Sequence, residues 1–291
     1  MKFGFHLSIA KGLLGVVEQA KRTKCECGQI FSRSPRSWQG RDISPEDAKA
    51  FRRAWSEAGL NPLAVHLPYL PNLATTQSEL RSKSTKALME DLDRAALLGA
   101  QYVVVHPGHR SEDQSLDQAL EQVALGAVWA LKQQKQSGVR LLLETTAGQK
   151  GELGADFAEL ARMVRDIEAE AGEQTVGICF DTAHVWGAGY DIAREAGLEN
   201  TLAEFDNALG LDRIKLIHLN DSLSELGGRR DRHAAVGRGK IGANGMARFV
   251  RHPALAHLAA VMETPKKTEA DDLENMLRVR SWRSRAGRTP S

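Results

Sequence analysis

Only three cysteines, Cys25, Cys27 and Cys179, occur in 291 residues. So few thiols cannot build a disulfide framework, and a reducing cytoplasmic setting is expected. Cys25-Glu26-Cys27 has no second cysteine pair to complete a zinc site, so both are read as ordinary thiols at a helix end. No apolar run approaches the length that crosses a bilayer, and Met1–His6 lacks a charged-then-apolar leader pattern. A membrane partner is therefore not expected. A strong excess of one charge is also missing. The formal net charge of +2 provides no global basic field to announce nucleic acid. Low-complexity stretches and composition shifts are absent before the Arg- and Ser-rich end of the chain.

The charge that is present is unevenly placed. Arg229, Arg230, Arg232, Arg238 and Lys240 crowd one stretch, and Arg33, Arg36 and Arg41 another. Both stretches follow strand candidates, which favours phosphate contact over a merely solvated face.

Six short apolar runs end in a metal-binding side chain: Pro62–His66, Tyr102–His106, Leu141–Glu144, Gly177–Asp181, Lys215–His218 and Ala259–Glu263. Val-, Ile- and Leu-rich runs of this length read as buried parallel strands. Phe3–Leu7 and Gly28–Phe31 bring the strand candidates to eight. Helical segments are expected between them, at Gly12–Arg22, after Ser44-Pro45, and at Gln77–Leu98, Ser115–Gln136, Ala155–Ala171, Arg194–Leu209, Asn244–Arg251 and Glu269–Arg280. Ser44 is an N-cap with Pro45 at the first helical position and acids in the first turn. Strand then helix, repeated eight times, predicts an α/β fold: a single-domain (β/α)8 TIM barrel over residues 1–280, with a basic disordered tail at 281–291. In such a barrel the carboxyl ends of the strands share one face, which carries the active site.

His184 stands three residues past Asp181, and Asp231-Arg232-His233 adds an Asp-x-His pair. The candidate ligands are then His66, His106, Glu144, Asp181, His184, His218, Asp231, His233 and Glu263. Imidazole and carboxylate without thiolate suit Zn²⁺, Mn²⁺ or Fe²⁺. Nine ligands exceed what one zinc takes, so two or three ions are expected if a carboxylate bridges. His6 is left between ligation and a supporting or substrate-facing role. His109, His252 and His257 are read as surface or packing residues. A cluster of divalent ions favours displacement at phosphorus, although two ions could instead polarise adjacent sugar oxygens.

At this point the chain resembles the endonuclease IV family. Gly4-Phe5-His6-Leu7-Ser8, Pro35-Arg36-Ser37-Trp38, His66-Leu67-Pro68-Tyr69-Leu70-Pro71-Asn72-Leu73 and His106-Pro107-Gly108 are similar to its motifs. Glu144–Gln149, Asp181-Thr182-Ala183-His184 with Ala188-Gly189-Tyr190-Asp191, His218–Ser222, Asp231-Arg232-His233, Gly237–Gly242 and Glu263-Thr264 follow in order. Ala183 stands where the family usually has cysteine. The resemblance implies a DNA-repair endonuclease that cuts the phosphodiester 5′ to abasic sites in duplex DNA, leaving a 3′-hydroxyl and a 5′-deoxyribose phosphate. It implies three Zn²⁺ per chain, with Mn²⁺ as a substitute. His66, His106 and Glu144 would hold the first ion. Glu144 would bridge to the second, which Asp181, His218 and Glu263 complete. His184, Asp231 and His233 would hold the third. Glu144, Asp181 and Glu263 would be the catalytic carboxylates. Arg36, Tyr69 and Leu70 would enter bent DNA at the lesion, and Arg230 and Arg232 would contact its backbone. A monomer is expected. Two other readings compete: a sugar isomerase or epimerase on the same barrel type, and a non-catalytic zinc-stabilised DNA-binding scaffold. The first has no use for the Asp231/His233 pair or the Arg-rich loops. The second predicts loss of a ligand, and none is missing.

Overall fold

The computed structural model describes residues 1–40, 42–135 and 138–284. Arg41, Gln136 and the end of the expected tail, 285–291, lie outside the described residues. The first half runs β1 (Lys2–Leu7), α1 (Gly12–Arg22), β2 (Cys27–Phe31), α2 (Pro45–Glu57), β3 (Leu63–His66), α3 (Ser78–Leu98), β4 (Tyr102–Val105) and α4 (Leu116–Gln133). The second half runs β5 (Arg140–Glu144), α5 (Phe157–Ala171), β6 (Val176–Asp181), α6 (Thr182–Ala188), α7 (Glu195–Leu209) and β7 (Ile214–His218). It ends with β8 (Asp221–Ser222), β9 (His233–Ala234), α8 (Gly242–Arg251), β10 (Ala259–Met262) and α9 (Glu269–Ser284). Eight parallel strands close in the order β1-β10-β7-β6-β5-β4-β3-β2. β8 and β9 pair separately as a small antiparallel ribbon. This is the expected (β/α)8 barrel. No described helix is long and apolar enough to cross a membrane.

The helix starts follow local chemistry. Ser44 Oγ accepts the Asp47 N–H at 3.0 Å, with Pro45 at the first helical position. Ser115 and Gln118 form a reciprocal capping box that opens α4.

The pleat sorts each strand into two faces. Cys27, Ala64, Val104, Leu142, Cys179, Leu216 and Val261 are buried in one small cluster, distinct from the larger core between strands and helices. They fill the barrel interior. A side chain at Gly4 would meet the Cys27 carbonyl oxygen at 2.0 Å, so β1 can present only glycine at this level. Two residues further along each strand path the same face carries His6, Gln29, His66, His106, Glu144, Asp181, His218 or Glu263. The small apolar layer is thus the floor of the polar one.

Two expectations need correction. Cys27 is not at a helix end: it opens β2 and is wholly buried inside the barrel. The domain boundary expected at residue 280 falls inside α9. That helix continues to Ser284 because Trp282 is buried against the core and Arg283 donates to Glu26 at 2.9 Å and stacks over Phe3.

Candidate metal centre

Glu144 is fully buried at the end of β5, and its two oxygens face different neighbours. Oε2 lies 3.1 Å from His66 Nε2 and 3.2 Å from His106 Nε2. Oε1 lies 2.9 Å from His218 Nδ1 and 3.3 Å from His184 Nδ1. Ligand atoms of Glu144, Asp181, His218 and Glu263 all fall within 4.8 Å of one another, as do those of His66, Glu144 and His218. Asp181, His184 and His233 form a further such group, and so do His106, Glu144 and His184. Asp231 Oδ1 joins them, 3.3 Å from His184 Nε2 and 3.1 Å from His233 Nε2. All nine candidates therefore meet at the barrel mouth.

The Asp181–His184 spacing has a local cause. Asp181 caps α6, accepting the His184 backbone N–H at 2.8 Å, which sets His184 beside its own capping carboxylate. His233 is brought in by the β8–β9 ribbon, where it pairs with Ser222.

The histidines are oriented from outside the cluster. His66 Nδ1 bonds the Leu67 carbonyl at 2.7 Å, and His184 Nδ1 the Thr145 carbonyl at 2.8 Å. His233 Nδ1 bonds the Glu263 carbonyl at 3.3 Å. Each leaves its Nε2 lone pair facing the carboxylates, the arrangement a metal-binding imidazole needs. His184 Nε2 and His233 Nε2 are buried without a hydrogen-bond partner among the described residues. A bound cation satisfies such nitrogens, so the donor set fits divalent ions of the imidazole–carboxylate type.

The electrostatics agree. Burial opposes charge on Glu144, but His218 and His106 outweigh it and hold its carboxyl well below the usual range. Burial likewise opposes the charged ring of His233, and the adjacent Asp231 more than offsets this, pushing its pKa up to about 9. Four acids in one buried site call for positive charge, which protons or metal ions supply.

Three supporting residues have no predicted role. Asn220 donates to Asp181 Oδ2 at 2.7 Å and accepts the Glu263 N–H at 2.8 Å. Gln29 is the inward residue of β2 at the level of the ligands. Asp221, wholly buried, accepts N–H groups of Gly239 and Ile241 at 2.9 and 3.0 Å and so anchors the Gly237–Gly242 segment. The i, i+2 alternation along β2 was the signal that could have found Gln29.

The rim is built from strand-following segments. Tyr69 is 69% exposed and Leu70 39%, although both stand beside a buried cluster. Asn72 fixes their loop, with its N–H on Ser84 Oγ and its side chain donating to the His109 carbonyl, each at 2.9 Å. Arg36 is exposed on the segment after β2. Arg33 is not part of a basic face: it is buried and paired with Asp91 and Glu90 at 2.6 and 3.1 Å. The segment between β8 and β9 is no loose hairpin. Leu223 N–H bonds Arg232 O at 2.8 Å, Trp186 Nε1 bonds Ser224 O at 2.9 Å, and Arg229 N–H bonds Gly187 O at 3.0 Å. It presents exposed Arg230 and Arg232, whereas Arg238 and Lys240 are paired with Glu274 and Glu225. His252 lies 3.2 Å from Glu199, and His257 is exposed.

The fold is that of a xylose isomerase-like TIM barrel, and residues 17–282 match the family model of that description; its mouth carries His, Asp and Glu groups that could hold metal. A probable endonuclease 4 of Methanosphaerula palustris is 39% identical over 281 residues, 96% of this chain and 97% of that one. Endonuclease 4 of Thermus thermophilus is 40% identical over 283 residues, 97% and 98% of the two chains. A crystal structure of endonuclease IV from Thermus thermophilus aligns with a TM-score of 0.87 at 39% identity, covering 98% of this chain and 99% of that one. The chain belongs to the endonuclease 4 family.

Proposed function

We propose that this chain is an abasic-site endonuclease of DNA repair. It hydrolyses the phosphodiester 5′ to an abasic site in duplex DNA and leaves a 3′-hydroxyl and a 5′-deoxyribose phosphate. The observation that carries the reading is the division of Glu144, with one oxygen toward His66 and His106 and the other toward His218 and His184. A carboxylate so placed is suited to bridging two cations. Its support is the family membership together with a cluster richer in ligands than one ion needs.

In this reading His66, His106 and Glu144 hold one Zn²⁺, and Glu144, Asp181, His218 and Glu263 a second. His184, Asp231 and His233 hold a third, with Mn²⁺ as a substitute. Ions bound here supply Lewis acidity and a water activated near neutral pH. The protein does the rest. Asn220 and backbone carbonyls hold the ligands in place. Tyr69 and Leu70, exposed on a loop pinned by Asn72, enter the duplex where a base is missing and unstacking costs least. Arg36, Arg230 and Arg232 engage phosphates. Lysine is absent from the inward positions at the strand ends, so Schiff-base lyase chemistry has no nucleophile there. We read the protein as a cytoplasmic monomer, in keeping with three free cysteines.

The test is a duplex carrying one stable abasic analogue, resolved on a sequencing gel. A single nick immediately 5′ of the lesion, with an end that a polymerase extends, is expected. Turnover of a free pentose or hexose without nicking would replace this reading with sugar isomerisation.

A further inference from the structure

Gln29 is wholly buried on β2, with its amide inside the polar layer. Its Oε1 lies 2.8 Å from His218 Nε2. Its Nε2 lies 2.8 Å from Glu263 Oε1 and 3.0 Å from His6 Nδ1. One amide thus touches His6 on β1, His218 at the end of β7 and Glu263 just past β10.

The partners decide which way the amide faces. A carboxylate oxygen at 2.8 Å accepts only from a donor, so the NH₂ group is on the Glu263 side. The carbonyl oxygen then faces His218 and accepts from it, which places the His218 proton on Nε2. Nδ1 then faces the cluster, 2.9 Å from Glu144 Oε1 and 3.3 Å from Glu263 Oε2, on the side where the carboxylates call for a cation or a second proton. His6 Nδ1 lies beside both groups, 3.0 Å from Gln29 Nε2 and 3.2 Å from Glu263 Oε1, so it can accept from the amide or donate to the carboxylate. His6 lines a groove of about 1070 Å³ between the segments that follow β1 and β2.

His218 differs from His66, His184 and His233 in one respect. Those three are set through Nδ1 by backbone carbonyls, whereas His218 presents Nδ1 to the cluster and has Gln29 behind it. The carbonyl oxygen of Gln29 can only accept, so it favours the Nε2–H form of His218. The Nδ1–H form would put a proton where a metal ion must bind. Outer partners of this kind hold a ligand in its metal-binding form.

We propose that Gln29 is a positioning residue that holds a proton on His218 Nε2, so that Nδ1 is the nitrogen open to a divalent cation. This rests on the metal-centre reading above. It is separable from it, because its main readouts need neither DNA nor turnover.

The test uses long-range ¹H–¹⁵N spectra of the histidine rings in zinc-loaded protein, beside zinc titration against a chromophoric chelator. Zinc-loaded wild type should show His218 with its proton on Nε2 and its Nδ1 as the metal-bound nitrogen. Gln29→Met keeps the length and bulk of the side chain but not its hydrogen bonds. It should give His218 a mixture of tautomers and weaken one zinc-binding step by about 10- to 100-fold, leaving the thermal midpoint of the metal-free protein close to wild type. Gln29→Glu should not rescue, since its second oxygen would face Glu263. An Nδ1–H tautomer of His218 in wild type would overturn the proposal even if no variant folds. Unchanged zinc affinity in Gln29→Met would also overturn it. Wild-type nicking of abasic DNA is measured in parallel: its absence would count against the nuclease reading while the tautomer result stood.

Discussion

Arg33 donates from Nε and Nη2 to a single oxygen of Asp91, at 3.0 and 2.6 Å, in a pair that is almost entirely out of solvent. Ser32 bonds the same oxygen at 2.6 Å, and Arg33 also reaches the Ala87 carbonyl at 3.1 Å. The pair therefore ties the segment that carries Arg36 to the face of α3. Asp91→Ala would leave the buried guanidinium without its buried partner and with only the part-exposed Glu90, a loss of about 3–5 kcal/mol. Denaturant unfolding reads that loss directly. Binding of abasic duplex, measured well below the midpoint, should weaken as the Arg36 segment loosens. A stability change under about 1 kcal/mol, as for an exposed pair, would contradict this account.

Glu144→Gln keeps the shape of the side chain and removes its charge. Two cations held close would then repel with less compensation, so zinc content or zinc affinity should fall and cleavage should slow by orders of magnitude. Arg36, Arg230 and Arg232, the residues proposed to engage phosphates, are unchanged. The variant should bind abasic duplex within about tenfold of wild type, roughly 1.4 kcal/mol. Gel-shift titration, single-turnover cleavage and elemental analysis at one salt concentration separate these effects. Near wild-type cleavage would remove Glu144 from the bridging role.

Tyr69 stands at the rim, its ring centroid 6.2 Å from that of His66 and 6.5 Å from that of His106, yet most of it is open to solvent. Tyr69→Ala should cost about 1–3 kcal/mol of affinity for abasic duplex, as loss of other base–aromatic contacts does, with zinc content unchanged. Arg36→Ala should weaken binding and flatten its salt dependence. Zinc loss from the Tyr69 variant would mean that the ring supports the cluster rather than the DNA.

Glu26 joins the start of β1 to the end of α9, accepting the Phe3 N–H at 3.1 Å and the Arg283 guanidinium at 2.9 Å. Burial opposes its charge, but these bonds outweigh burial and hold its carboxyl below the ordinary 4.5. A depressed folded value means stability that is fully present above 4.5 and lost as pH falls through the folded value. The gap in thermal midpoint between wild type and Glu26→Gln should be widest near neutrality and close on acidification below 4.5. A gap independent of pH would show that the charge of Glu26 is not what stabilises this contact. Ending the chain at Arg280, the boundary read from sequence, should cost more than ending it at Ser284, because Trp282 and Arg283 are then lost.

The barrel and the positions of its ligand candidates were legible because both depend on short-range pattern. A buried parallel strand must be apolar along its length, so a His, Asp or Glu at its end stands out, as in Tyr102–His106 or Leu141–Glu144. Asp181 and His184 were readable for a similar reason, since the capping geometry of α6 is encoded within four residues. Other features depended on residues distant in the chain. Arg33 looks like part of a basic face in the sequence, and only Asp91, 58 positions away, buries it. Cys27 looks like a helix-end thiol in the sequence, and only closure of the barrel places it on the interior floor. Gln29 carries no ionisable group to attract notice. Its meaning lies in contacts to His218 and Glu263, 189 and 234 positions away, which exist only when the sheet closes and brings their strand ends to one mouth. Sequence alone determined which side chains were available for the chemistry. Tertiary structure decided which of them share a proton, a partner or an open surface, because those relations are set by distance in space.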